Sequence, residues 1–90
     1  MRILIVDDTP EILRGLKRLL NHEGHMVVTA VDGDDALEKL RKADDIQLII
    51  TDLCMPILDG YKFAKLAKQL TKAPIILHTG APDVYKTPHI

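Results

Sequence analysis

A chain of 90 residues suffices for one domain, and at this size it can bury somewhat over ~60% of the surface its unfolded form exposes. With 47% hydrophobic and 28% charged residues it reads as globular rather than disordered or fibrous, and a formal net charge of -1 excludes the broad basic surface that would favour nucleic acid or an anionic membrane as partner. No apolar run approaches the roughly 20 residues of a membrane span, Met1-Arg2-Ile3 leads straight into a strand, and a lone cysteine, Cys54, cannot form an internal disulfide, so the chain is expected in the cytoplasm.

The first element is Ile3-Leu4-Ile5-Val6, a short apolar strand followed at once by Asp7-Asp8. Thr9-Pro10-Glu11 then supplies an N-cap residue, a proline for the first helical position and an acid for the first turn. The helix that follows is predicted to bury Ile12, Leu13, Leu16, Leu19 and Leu20 as one stripe, with Arg14, Lys17 and Arg18 toward water. Gly24 suits a left-handed position at its C-terminal end. Met26–Ala30 reads as a second strand, and Asp32-Gly33-Asp34 turns the chain into a helix over about residues 34–42 with Ala36, Leu37 and Leu40 inward.

The stretch Ile46-Gln47-Leu48-Ile49-Ile50-Thr51-Asp52 is apolar and β-branched and stops on an acid; it is predicted as a strand buried on both faces. A loop containing Pro56 leads to Asp59-Gly60, which opens a helix expected to bury Phe63, Ala64, Leu66, Ala67 and Leu70. Lys62, Lys65, Lys68 and Lys72 lie on its other side as a solvated face. Ala73-Pro74 introduces a fourth strand, Ile75–His78, which ends at Thr79-Gly80.

Strands alternating with helices through right-handed crossovers give one parallel sheet with helices on its faces. In the common doubly wound order the second strand lies outside the first, and the third and fourth lie on its other side, so the first and third are neighbours at the switch point where such sheets bind ligands. Asp7, Asp8 and Asp52 then meet at one edge. Eleven residues follow Thr79, Pro82 and Pro88 among them, and a crossover alone needs at least ~10 to 12, so no fifth strand is expected. The fourth strand should therefore show an open edge that invites pairing with the identical edge of a second copy.

Two carboxylates about 4 Å apart repel by roughly 4 kcal/mol at an effective dielectric of 20, so three in one place call for a counter-charge. A hard divalent cation such as Mg2+ meets that need and accepts phosphate oxygens as well. A carboxylate so neutralised and held can act as a nucleophile toward phosphorus, and Asp52 is the candidate because it ends the central strand. Thr79, at the end of the neighbouring strand, offers a hydroxyl to the same phosphoryl oxygens, and Gly80 leaves room beside it.

Together these pieces resemble the receiver domain of bacterial two-component response regulators. The matching residues are Ile3-Leu4-Ile5-Val6-Asp7-Asp8, Asp32-Gly33 with Ala36-Leu37, Ile49-Ile50-Thr51-Asp52-Leu53-Cys54-Met55-Pro56 with Asp59-Gly60, and Pro74-Ile75-Ile76-Leu77-His78-Thr79. The resemblance implies an α/β fold, a flavodoxin-like doubly wound parallel sheet of strand order 2-1-3-4, with residues 1–90 as one C-terminally short receiver lacking the fifth strand and last helices. It implies that Asp52 accepts a phosphoryl group from a histidine kinase or phosphotransfer protein, and that Asp7, Asp8 and Asp52 hold Mg2+ with the backbone carbonyl of Cys54. Thr79 would be the switch hydroxyl, and Met55-Pro56 with Asp59-Gly60 would shape the adjoining loop.

Such a module signals by conformational switch and is not an enzyme beyond its own phosphotransfer and dephosphorylation. The chain departs from the family at its C-terminus, where members carry a lysine at the end of a fifth strand and usually an aromatic switch residue within it. Here Lys72 stands at the wrong pole and Tyr85-Lys86 have no strand to hold them. The alternative is therefore a non-phosphorylated interaction or dimerisation module of the same fold.

Other readings carry less. Asp7-Asp8 could serve only as capping acids and Thr79 only as a strand-end hydroxyl; the four histidines lack zinc spacing and read as incidental, and Cys54 has no activating neighbour. An aspartate-nucleophile phosphatase would need an acid where Cys54 stands, and a flavin or nucleotide site would need glycines where Asp7-Asp8-Thr9-Pro10 stands.

Overall fold

The computed structural model describes residues 1–52 and 58–78. Within them strand and helix alternate as β1 (Arg2–Val6), α1 (Pro10–His22), β2 (Met26–Ala30), α2 (Gly33–Lys42), β3 (Leu48–Asp52), α3 (Gly60–Ala67) and β4 (Ile75–His78). The sheet is parallel throughout, in the order β2-β1-β3-β4 that the doubly wound arrangement predicts. Val6 pairs with Ala30 on one side and Thr51 on the other, and Asp52 pairs with His78. The C-terminal ends of β1, β3 and β4 consequently finish at one edge.

The two faces of the sheet are covered unequally. On one, Leu4, Val6, Ile49, Ile75 and Leu77 pack with Ala36, Leu37 and Leu40 of α2 and with Phe63, Ala64 and Ala67 of α3. On the other, Ile3 and Ile5 are buried with Leu13, while Leu16, Leu20, Val27, Leu48 and Ile50 are only partly buried. The expectation that the central strand is buried on both faces is therefore corrected: Ile49 and Thr51 are buried, Leu48 and Ile50 half-buried. The reason is that α1 packs on β2 and β1, and among the described residues no helix lies over β3 and β4 on that side.

Two predicted stripes are narrower than expected. Leu13, Leu16 and Leu20 line the inner side of α1 at helical spacing, which turns Leu19 outward to 57% exposure. In α3 the buried line is Phe63, Ala64 and Ala67; Leu66 falls beside it and Leu70 beyond the last helical residue, and each is 41% exposed.

The helix starts follow their caps. The Asp32 carboxylate accepts the Asp35 N–H at 2.8 Å and starts α2, and Asp59 accepts the Lys62 N–H at 2.8 Å and starts α3. Thr9 occupies the cap position of α1 with Pro10 following, yet its side chain makes no capping bond; its N–H instead donates to Asp7 Oδ1 at 2.9 Å. The Lys39 ammonium reaches the Thr29 carbonyl and ties α2 to β2.

After α1 the chain reverses through Gly24, whose φ is +91°. A Cβ there would meet nothing within 4 Å, so Gly24→Ala isolates backbone strain from packing. It is expected to destabilise by about 1–2 kcal/mol, read as a lower urea midpoint with an unchanged slope.

Candidate functional site

The predicted cluster draws on two strand ends, Asp7 directly after β1 and Asp52 as the last residue of β3, so the ladder rather than local conformation brings its acids together. Val6 opposite Thr51 sets Asp7 beside Asp52, and Asp8 follows on the turn into α1. One carboxylate oxygen from each of Asp7, Asp8 and Asp52 lies within 4.8 Å of the others. The three differ in exposure: Asp7 is buried, Asp52 half-buried and Asp8 exposed, which leaves one side of the cluster open to solvent.

Asp7 is anchored twice. Its backbone N–H donates to the Ala30 carbonyl at 3.1 Å and its Oδ1 accepts the Thr9 N–H at 2.9 Å. The Asp7 side chain thus belongs both to the cluster and to the turn that leads into α1, where the positive end of the helix dipole begins. On β3, Thr51 is buried and its hydroxyl donates to the Asp52 carbonyl oxygen at 3.2 Å, which steadies the peptide carrying the acid.

The loop that leaves β3 re-enters the described residues at Leu58, packed closely on the start of α2. A Cβ on Gly33 would come within 2.7 Å of the Leu58 side chain, so a glycine there lets loop and helix approach. Cys54 and Thr79 lie outside the described residues. His78 does not, and its register opposite Asp52 gives the site a neighbour that sequence inspection treated as incidental. The only signal for it in the sequence is its position immediately before Thr79 at the strand end.

Chemically, three carboxylates in this space repel one another and present hard oxygen donors with no soft ligand among them. That donor set suits a hard divalent cation better than a thiolate- or imidazole-seeking metal.

Comparison with known proteins bears on the family and the fold. The family model described as the response regulator receiver domain matches residues 3–88. Response regulator ArlR of Staphylococcus aureus is 37% identical over 84 residues, covering 93% of this chain and 38% of that protein. The receiver domain of the hybrid histidine kinase CckA superposes with a TM-score of 0.82 at 35% identity, over 86% of this chain and 73% of that one. Response regulator TrrA of Thermotoga maritima, solved in complex with Mg(2+)-BeF, superposes with a TM-score of 0.81 at 37% identity, over 91% and 71%. The chain spans 31% to 38% of the length of the first curated relatives it matches.

Proposed function

Because this chain belongs to the response regulator receiver domain family, we propose that it works as the phosphoacceptor module of a two-component phosphorelay, with Asp52 as the acceptor. The observation that carries the proposal is the convergence of Asp7, Asp8 and Asp52 within 4.8 Å at the edge where β1 and β3 end. Asp7, Asp8 and Asp52, with the backbone carbonyl of Cys54, would hold Mg2+, which supplies the positive charge that lets an anionic phosphoryl group approach a carboxylate. An Asp52 oxygen then bonds to phosphorus while the bond from phosphorus to its carrier breaks, and the carrier, a phosphohistidine of a kinase or phosphotransfer protein, leaves with the electron pair. Hydrolysis reverses the outcome: water adds to phosphorus, the Asp52–phosphorus bond breaks, and inorganic phosphate departs.

Asp7 orients the pocket through its bond from Thr9, and Thr79, the residue after His78 in the sequence, would supply the hydroxyl that moves toward the phosphoryl group. Residues 1–90 act in this proposal as one receiver in the cytoplasm, and the outer edge of β4 is the surface for pairing with a second copy. Sedimentation of the purified chain tests that last element: a dimer supports it and a monomer at high concentration removes it.

Incubation with Mg2+ and acetyl phosphate tests the acceptor. The wild-type protein is expected to gain the mass of one phosphoryl group as an acid-stable, base-labile adduct, and Asp52→Asn to gain none. No labelling of the wild type under conditions that label an intact receiver, or equal labelling of Asp52→Asn, overturns the proposal.

A further inference from the structure

His78 is the Cα partner of Asp52 in the β3–β4 ladder, and adjacent strands in such a ladder lie about 4.8 Å apart. The two side chains also share a face. Ile75 and Leu77 are buried against α2 and α3, so Ile76 and His78 project from the opposite side of β4. On β3 the alternation is the same, with Ile49 and Thr51 on the side of α2 and α3, and Leu48 and Ile50 beside Ile3 and Ile5, so Asp52 falls in phase with His78. Asp7 continues the phase of Ile3 and Ile5.

Over β3 and β4 this face carries no helix among the described residues, and His78 is exposed, so nothing described there separates the imidazole from the edge where Asp52 ends its strand. The residues that close β1, β2 and β3 at this edge are Asp7 and Asp8, Val31 and Asp52. His78, which closes β4, adds the one nitrogen-bearing side chain to the described strand ends at this edge.

We infer that the His78 imidazole is a phosphoryl-binding group of this site, donating an N–H to an oxygen of the phosphoryl group that Asp52 carries. The inference rests on Asp52 being the phosphoacceptor. A phosphoryl group extends Asp52 outward by one tetrahedral centre and sets three further oxygens at the edge where β3 and β4 end side by side. Imidazole keeps at least one N–H in either neutral tautomer and in its protonated form, so the donation requires no change of charge. A solvated surface histidine would be equally exposed; the shared register and phase with Asp52 are what distinguish this one.

Beryllofluoride, a phosphoryl mimic, separates the possibilities. With Mg2+ present, the mimic is titrated into wild type, His78→Leu and His78→Gln, and the His78 ring resonances of the wild type are followed by NMR. The ring resonances are expected to shift as the mimic binds, His78→Leu to bind about tenfold more weakly, and His78→Gln, which keeps an N–H donor, to bind more like wild type than like His78→Leu. Equal binding by His78→Leu and wild type, or ring resonances that stay put while the mimic binds, overturns the role of His78 and leaves Asp52 as the acceptor untouched. Failure of the wild type to bind the mimic removes the acceptor reading itself and this inference with it.

Discussion

Phe63→Ala is expected to be the most damaging single substitution in this chain, costing about 3–5 kcal/mol of stability. Phe63 is fully buried and is the one phenylalanine present. It fixes α3 against the buried face of the sheet among Ala64, Ala67 and the inward residues of β3 and β4. Its neighbours in the cluster are themselves buried in the sheet and in α2 and α3, so the surroundings can close only part of the vacated space. A domain of this size has on the order of 5–10 kcal/mol to lose, so the variant should forfeit from about a third to nearly all of its stability. Urea denaturation measures it directly, with Phe63→Leu as the control that keeps most of the volume and should cost about 1.5 kcal/mol or less. A loss below about 1 kcal/mol for Phe63→Ala would mean that α3 is not packed as described.

The second large effect has two signs. At 4.8 Å two carboxylates repel by about 1 kcal/mol in water and about 3.5 kcal/mol at an effective dielectric of 20. Asp8 is exposed, so the lower figure governs its two pairs, and Asp8→Asn is expected to raise metal-free stability by about 1–2 kcal/mol. The same change removes one of the three proposed anionic ligands and should weaken Mg2+ binding by about tenfold or more. Thermal melts in chelator and across a Mg2+ titration read both quantities from one preparation. If Asp8→Asn instead lowers metal-free stability, Asp8 is a structural acid at the start of α1 and the cluster holds no stored repulsion. Asp8 is the better probe than Asp7, because Asp7→Asn would also disturb the bond from the Thr9 N–H.

Most of the candidate site could be read locally because its acids are strand-end residues. A run such as Ile3 to Val6 announces a buried strand, and the residue after it must emerge at the sheet edge whatever the rest of the chain does. The same logic located Asp52. Helix starts were equally local: Asp32 and Asp59 cap through bonds to backbone three residues on. The errors arose where burial depends on a partner. Leu19 and Leu66 have the spacing of an apolar stripe, but only the width of the opposing surface decides which member of a stripe is covered, and that surface is made by distant segments; Leu70 is exposed because α3 ends at Ala67.

What the order of residues determined by itself was therefore the alternation of strand and helix, the parallel sheet that right-handed crossovers impose, and an acid at the end of each of two strands. What only the tertiary structure decided was register and cover: that Asp52 stands opposite His78, that Gly33 accommodates Leu58, and that the face bearing Leu48 and Ile50 is covered less than the face bearing Ile49 and Thr51. The physical division is one of range. Backbone propensity, capping and alternation act over a few residues and are written in the sequence, whereas pairing and burial are settled by contacts between segments tens of residues apart, which no local pattern records.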